Sequence, residues 1–125
     1  MSNVLLIDDD QEIRTGLSRV LDRCGHSVIE AASGEQGLEQ IAKHSIDLVF
    51  CDLLFPSGMS GTETLDAIIR THPKMKVVMM SCAMDYDVSE QLEKQGAAKS
   101  VQKPFFKDQC LEIVNELIPD DQQAA

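Results

Sequence analysis

Residues 4–10 read VLLIDDD, a short apolar run that ends in three consecutive aspartates. Two further apolar runs follow, IDLVFC at 46–51 and VVMM at 77–80, and weaker ones lie at 28–29 and 100–101. Continuous rather than alternating apolarity is typical of strands buried on both faces, as in parallel sheets. The pattern therefore predicts a parallel sheet with three strong central strands and two weak strands at its edges.

Between these runs the apolar residues recur with the period of a helix, in five segments. Ser33, three residues before Gln36, is a candidate N-cap, and Gly25, Gly96 and Pro119 are candidate stops. The repeating positions are Ile13, Leu17, Val20, Leu21 and Cys24; Leu38, Ile41 and Ala42; Leu65, Ile68 and Ile69; Val88 and Leu92; and Cys110, Ile113, Val114, Leu117 and Ile118. Strands that alternate with helices predict a doubly wound α/β domain, (βα)5 and flavodoxin-like, with the strand order 2-1-3-4-5.

Composition narrows the class of protein. The 125 residues suit one domain, and 11 Lys+Arg against 21 Asp+Glu give a formal net charge of -10. This acidity argues against direct nucleic-acid binding, which relies on clustered basic residues. No apolar run approaches the ~20 residues of a membrane span, and no secretory signal is visible, so we expect a cytoplasmic protein. The four cysteines form no CxxC pair, which predicts reduced thiols in the core rather than a zinc site or disulfides.

Polar side chains follow four of the predicted strands. Asp8–Asp10 end the first strand, Asp52 the third and Ser81 the fourth, and Lys103 follows the fifth. Ligands of doubly wound sheets bind at the carboxyl ends of the strands, where the strand order reverses. Taken singly, the aspartates are as often helix caps or structural side chains as functional ones, and a lone Ser81 or Lys103 is more often structural or solvated. Together, several carboxylates a few ångströms apart repel each other, so their convergence favours a site that holds a cation.

The chemistry of this set is that of phosphoryl transfer. Carboxylate oxygens without nearby His or Cys favour Mg²⁺, with Mn²⁺ as an alternative. An ammonium and a hydroxyl can stabilise phosphoryl oxygens while a carboxylate attacks in line, which would give an aspartyl phosphate.

Four segments also resemble a known family in order and spacing. They are VLLIDDDQEIR at 4–14, DLVFCDLLFPSGMSG at 47–61, VVMMSCA at 77–83 and QKPF at 102–105. Over residues 3–118 the sequence is similar to the receiver domain of two-component response regulators, and 119–125 form a polar C-terminal tail. No effector region follows, so we expect a stand-alone receiver or a fragment of a longer regulator.

The resemblance implies roles for the acidic residues. Asp52 corresponds to the phosphoacceptor. Asp9 corresponds to a direct Mg²⁺ ligand, Asp8 to one that acts largely through metal-bound water, and the backbone carbonyl of Leu54 completes the protein's share of the coordination.

The resemblance also implies roles beyond the metal ligands. Ser81 corresponds to the switch hydroxyl and Lys103 to the partner of the phosphate, and the Lys103–Pro104 bond is expected to be cis. Asp10 is expected to cap the first helix. A sensor histidine kinase or phosphotransfer protein would donate the phosphoryl group, and the downstream target is unknown.

Two alternatives stay open. One is a degenerate receiver that acts only as a scaffold. The other is a small phosphatase of the haloacid-dehalogenase type, which needs a second acidic motif after the lysine, where Asp108, Glu112 and Glu116 stand singly on the fifth helix before the tail.

The sequence departs from the family pattern at three places. The loop after Asp52 is one residue longer than usual, so the start of the third helix is expected to shift. Ser100 stands where an aromatic residue is usual, after Ala98 and Lys99, which argues against an aromatic switch and the common helix 4–strand 5–helix 5 dimer. Leu54 and Cys82 lead to the hypothesis that restricted water access slows loss of the phosphoryl group.

Overall fold

The computed structural model describes residues 2–118, and its centre is a five-stranded parallel sheet. The strands are β1 (Asn3–Ile7), β2 (Ser27–Ala31), β3 (Leu48–Asp52), β4 (Lys76–Ser81) and β5 (Lys99–Gln102). All pairings are parallel, in the order β2-β1-β3-β4-β5. The predicted doubly wound, flavodoxin-like fold is confirmed, with the two weak strands at the edges.

Five helices connect the strands, as predicted. They are α1 (Gln11–Arg23), α2 (Gly34–Lys43), α3 (Gly61–Thr71), α4 (Tyr86–Lys94) and α5 (Lys107–Leu117). Ser33 is the N-cap of α2, since its hydroxyl accepts a hydrogen bond from the backbone N–H of Gln36 at 3.1 Å. Ser60 and Glu63 form a capping box at the start of α3, which fixes where the longer loop ends.

Alternating side chains of the strands supply two separate cores. Leu6, Phe50 and Met80 face the layer that contains α1 and α5. Leu5, Cys51 and Met79 face the layer that contains α2, α3 and α4. The sheet is therefore covered on both faces, and its carboxyl edge is left for the loops that carry the polar residues.

Some side chains lie elsewhere than the sequence predicts. Only Cys51 and Cys110 are buried, whereas Cys24 and Cys82 are exposed, so the prediction of core thiols is wrong for two of four. Burial raises the pKa of Cys110 to about 11. His26 is buried where the chain turns from α1 into β2, although a histidine beside a glycine turn is usually a surface residue.

Two further predictions concern the C-terminal tail and the absence of a membrane span. The predicted tail, 119–125, lies outside the described residues. Within 2–118, every helix is too short or too polar to cross a bilayer.

Candidate functional site

The site is built where two central strands end side by side. β1 and β3 are neighbours, with Ile7 paired to Cys51, so Asp8 and Asp52 come out at the same edge. Ser81 ends β4, and Lys103 follows β5 on the same edge. Asp8, Asp52, Ser81 and Lys103 are only 1%, 6%, 1% and 7% exposed. The fold thus brings together the polar residues that the sequence separates by up to 95 positions.

Three carboxylates form a compact group at this edge. Asp8, Asp9 and Asp52 each offer an oxygen, and these oxygens all lie within 4.8 Å of one another. Asp9 is exposed, whereas the other two are buried, so the group opens to solvent on one side. A set of oxygen donors without imidazole or thiolate suits a hard divalent cation. The cluster could therefore hold a metal ion.

Lys103 bridges the two buried carboxylates. Its ammonium nitrogen lies 2.8 Å from Oδ2 of Asp8 and 3.4 Å from Oδ1 of Asp52. Burial alone would lower the pKa of Lys103, but the hydrogen bond and charge of Asp8, with those of Asp52, outweigh it and raise the pKa. Three carboxylates and one ammonium leave a formal charge of about -2, which a divalent cation would offset.

The surroundings of Asp52 oppose its ionisation. Burial first, and then the charge of Asp8, raise the pKa of Asp52, and Lys103 offsets part of this rise. A hydrogen bond from the Leu54 backbone also lowers the pKa of Asp52 and so offsets a further part of the rise. The side chain of Leu54 is 64% exposed. The position of the Leu54 carbonyl as a metal ligand stays a prediction.

The start of α3 packs directly against the backbone of this site. A Cβ atom at Gly61 would lie 2.3 Å from the carbonyl oxygen of Asp52 and 2.5 Å from the Cα of Leu53. Only glycine fits so close to another backbone. The longer loop that leads to Gly61 is held near its end, where Met59 N–H donates to Glu35 of α2 at 3.0 Å.

Two hydrogen bonds tie the end of β4 and the loop after it to the end of β5. The backbone N–H of Lys103 donates to the carbonyl of Ser81 at 2.9 Å, and the Gln102 side chain donates to the carbonyl of Cys82 at 2.9 Å. The Ser81 hydroxyl accepts a hydrogen bond from Ala83 N–H at 3.1 Å. The predicted cis peptide bond Lys103–Pro104 is present. The Gln102 contact was missed from the sequence, because only the folded chain shows which loop a glutamine side chain reaches.

The turn after β1 is also fixed by more residues than the sequence indicates. The Asp10 carboxylate accepts hydrogen bonds from Glu12 and Ile13 N–H, which confirms the prediction that Asp10 caps α1. Arg14 was not singled out, yet its guanidinium contacts both the Asp8 carbonyl and Glu30. The only signal in the sequence is that Arg14 follows the acidic run by about one helical turn.

Strand β5 bears Ser100 at the position where the receiver pattern usually has an aromatic residue. Ser100 is half-buried, and its hydroxyl oxygen has no hydrogen-bond partner among residues 2–118. Lys99 next to it pairs with Glu116 of α5 at 2.8 Å. The polar character of this strand agrees with the departure noted in the sequence.

Comparison with known proteins identifies the family. Residues 4–115 match the family model of the response regulator receiver domain. The chain is 30% identical over 116 residues to sporulation initiation phosphotransferase F of Bacillus subtilis (strain 168). This match covers 93% of each protein. It is 31% identical over 118 residues to the DNA-binding transcriptional regulator NtrC of Klebsiella pneumoniae. That match covers 94% of this chain but only 25% of the regulator.

Solved structures agree with the sequence matches. The chemotaxis protein CheY4 of Vibrio cholerae superposes with a TM-score of 0.88 at 25% identity, covering 94% of this chain and 98% of that one. A CheY-like receiver domain protein of Methanospirillum hungatei JF-1 gives a TM-score of 0.88 at 29% identity, covering 99% and 98%. The chain therefore belongs to the receiver domain family of response regulators, the signalling domains of two-component systems.

Proposed function

We propose that the protein accepts a phosphoryl group on Asp52 from a sensor histidine kinase or a phosphotransfer protein, and that the phosphorylated form has a different conformation. The observation that carries this proposal is the position of Asp52, whose buried carboxylate lies among Asp8, Asp9 and the ammonium of Lys103. The match to the receiver family supports the same reaction class.

The proposed cation is Mg²⁺, with Mn²⁺ as an alternative. Asp8, Asp9, Asp52 and the backbone carbonyl of Leu54 would hold it, because all four supply hard oxygen donors. A bound divalent cation offsets the negative charge of the carboxylates and of the transferred phosphoryl group. Without it, a phosphoryl group would enter a site that already carries excess negative charge.

The proposed transfer is an in-line displacement. An Oδ atom of ionised Asp52 attacks the phosphorus, an O–P bond forms, and the P–N bond to the donor histidine breaks with its electron pair left on nitrogen. Lys103 leaves its partners to pair with a phosphoryl oxygen, and the Ser81 hydroxyl donates to another. The raised pKa of Lys103 supports this role, because the side chain stays charged at neutral pH.

The surroundings of the site suit a protein donor. Leu54, Tyr86 and Phe106 are large exposed apolar side chains, and they lie in or after the loops that follow β3, β4 and β5. All three therefore flank the edge at which Asp52 is found. We propose that they form part of the surface that the donor protein contacts, because clustered exposed apolar side chains are typical of such surfaces. The free, exposed thiols of Cys24 and Cys82 fit a reducing compartment, and we propose a cytoplasmic location.

We further propose that the response to phosphorylation leaves the site through the loop after β4 rather than through a ring on β5. The hydrogen bond from Gln102 to the Cys82 carbonyl links that loop to β5, and Ser100 offers no ring that could move. The Lys99–Glu116 pair occupies part of the face formed by α4, β5 and α5. Both features argue against a dimer of the common type on this face.

One experiment tests the proposed function against its alternatives. The protein is incubated with Mg²⁺ and a small-molecule phosphodonor, and wild type is compared with Asp52→Asn on a phosphate-affinity gel. An adduct that forms on wild type and not on Asp52→Asn is the expected result. No adduct on wild type would support a scaffold, and continuous phosphate release that requires Asp8 would support a phosphatase.

A further inference from the structure

Arg14 connects three elements at the back of the acidic turn. Its Nη1 donates to the backbone carbonyl of Asp8 at 2.6 Å, and its Nε lies 3.1 Å from Oε1 of Glu30 on β2. The Arg14 side chain is only 15% exposed, and its contact with the Asp8 carbonyl is partly buried, whereas the Glu30 side chain is 41% exposed. A guanidinium can donate in two directions at once from a rigid plane, which suits a contact with a carbonyl and a carboxylate together.

The carbonyl that Arg14 holds belongs to the peptide that leads into Asp9. The other parts of the turn are fixed separately: Asp8 N–H donates to Ala31 O at 3.1 Å, and Asp10 N–H donates to the Asp8 carboxylate at 2.9 Å. The Asp9 side chain has no hydrogen bond to another residue within 2–118. Its place in the carboxylate group therefore depends on the backbone before and after it.

We propose that Arg14, supported by Glu30, is a positioning residue that orients the Asp8–Asp9 peptide so that the Asp9 carboxylate faces the cation site. The inference rests on the proposed function, since it assumes that the carboxylate group binds a divalent cation. Arg14 carries a positive charge close to that site, and this charge by itself opposes cation binding. The net effect of Arg14 on the affinity for the cation is favourable, because the gain from orienting the Asp9 carboxylate exceeds the repulsion between the two positive charges.

The variants separate orientation from charge. Arg14→Lys keeps the charge and loses the two-way planar contact, whereas Arg14→Met loses both. Glu30→Gln weakens the support on the far side of the guanidinium. Arg19→Lys and Arg19→Met are the matched controls, because Arg19 is an exposed arginine on the same helix.

The measurement is the equilibrium Kd for Mg²⁺, followed by backbone amide shifts in NMR, since the chain has no Trp. We expect Arg14→Lys to weaken Mg²⁺ binding by about tenfold, the usual effect of removing a residue that orients a ligand. Arg14→Met should weaken it as well, Glu30→Gln less, and the Arg19 variants little. Melting curves in metal-free buffer check that each variant is folded.

Each outcome decides a different question. If wild type binds Mg²⁺ and Arg14→Lys binds it equally well, the positioning role is overturned while the proposed function stands. Tighter binding by a folded Arg14→Met would overturn it too, because the charge would then dominate. If wild type itself shows no binding at millimolar Mg²⁺, the proposed function fails first. Should Arg14→Met not fold, the comparison of Arg14→Lys with Arg19→Lys remains decisive.

Discussion

The ammonium of Lys103 is hydrogen-bonded to the carboxylate of Asp8 at 2.8 Å, although the two residues stand 95 positions apart in the chain. Both side chains are buried, so each charge compensates the other in a place that water does not reach. Removing one partner of a buried ion pair is costly because the remaining charge is left without compensation. The stability of the site therefore depends on a contact between the loop after β1 and the loop after β5.

Replacement of Lys103 tests this dependence. In metal-free buffer at pH 7, we expect Lys103→Met to lower the free energy of unfolding by about 3 kcal/mol. Mg²⁺ should restore more stability to the variant than to wild type, because the site is then more negative. Urea unfolding with and without Mg²⁺ measures both effects. The control is Lys107→Met on the exposed start of α5, and equal stability of the two variants would contradict the prediction.

Asp52→Asn is expected to stabilise the metal-free protein at neutral pH. Because burial and Asp8 raise the pKa of Asp52, its ionised form is less stable in the folded chain than in the unfolded one. The resulting penalty is complete above the folded pKa and disappears as the pH falls through that value toward the ordinary value of about 4. We expect a higher Tm for Asp52→Asn than for wild type at pH 7, and a difference that shrinks toward pH 4. Thermal melts across this pH range measure the difference, and a gain independent of pH would refute the electrostatic cause.

Two glycines should respond to alanine in opposite directions. At Gly61 a Cβ would meet the Asp52 carbonyl at 2.3 Å, so Gly61→Ala should cost about 3 kcal/mol or more. At Gly16, inside α1, a Cβ would meet nothing within 4 Å, so Gly16→Ala should stabilise by about 0.5–1 kcal/mol. Chemical denaturation of both variants gives the comparison. A neutral Gly61→Ala would show that α3 can move away from Asp52 without cost.

The hypothesis on water access stays a prediction. Leu54→Asn replaces an exposed apolar side chain next to the proposed phosphoacceptor with a polar one. If Leu54 restricts water, the phosphoryl group should be lost about fivefold faster, which corresponds to about 1 kcal/mol in the barrier. The half-life of the phosphorylated protein, after removal of the donor, measures this. Leu54→Met is the apolar control and should keep the slow rate; an unchanged half-life in Leu54→Asn counts against the hypothesis.

The proposed route from the site to β5 can be tested at Gln102. Gln102→Leu removes the hydrogen bond to the Cys82 carbonyl at 2.9 Å and leaves the phosphoacceptor intact. We expect phosphorylation to occur as in wild type but to produce smaller amide shifts on β5, followed by NMR. Gln91→Leu on the exposed face of α4 is the control.

Ser100→Tyr supplies the aromatic ring that β5 lacks. If phosphorylation produces the same amide shifts on β5 in Ser100→Tyr as in wild type, the absence of the ring is unimportant.

Much of the site was predictable because parallel strands all end at one edge. Once the apolar runs were placed, Asp8, Asp52 and Ser81 had to meet there, and Asp10 had to lie at the start of α1. The strand order was predictable because the two short apolar runs, at 28–29 and 100–101, are typical of edge strands. These features depend on periodicity and on chain direction, both of which are local properties of a sequence.

The missed features depend on contacts between separate elements. Nothing near Arg14 indicates that β2 brings Glu30 within 3.1 Å of it. His26 follows a glycine turn and reads as a surface residue, yet its backbone N–H bonds to Leu21 O and the ring is carried into the interior. Cys24 fits the helical period of α1 but lies just past its end, where the period no longer determines burial.

The two outer strands of the sheet have a consequence for behaviour at high concentration. An edge strand exposes unpaired backbone groups to which a strand of another molecule could add. Here β5 is only four residues long and bears Lys99, held by Glu116, while β2 bears Glu30, held by Arg14. An incoming strand would gain few backbone hydrogen bonds and would meet charged side chains on either edge. The sheet is thus protected against growth into edge-to-edge aggregates by the same ion pairs that fasten its outer strands to α1 and α5.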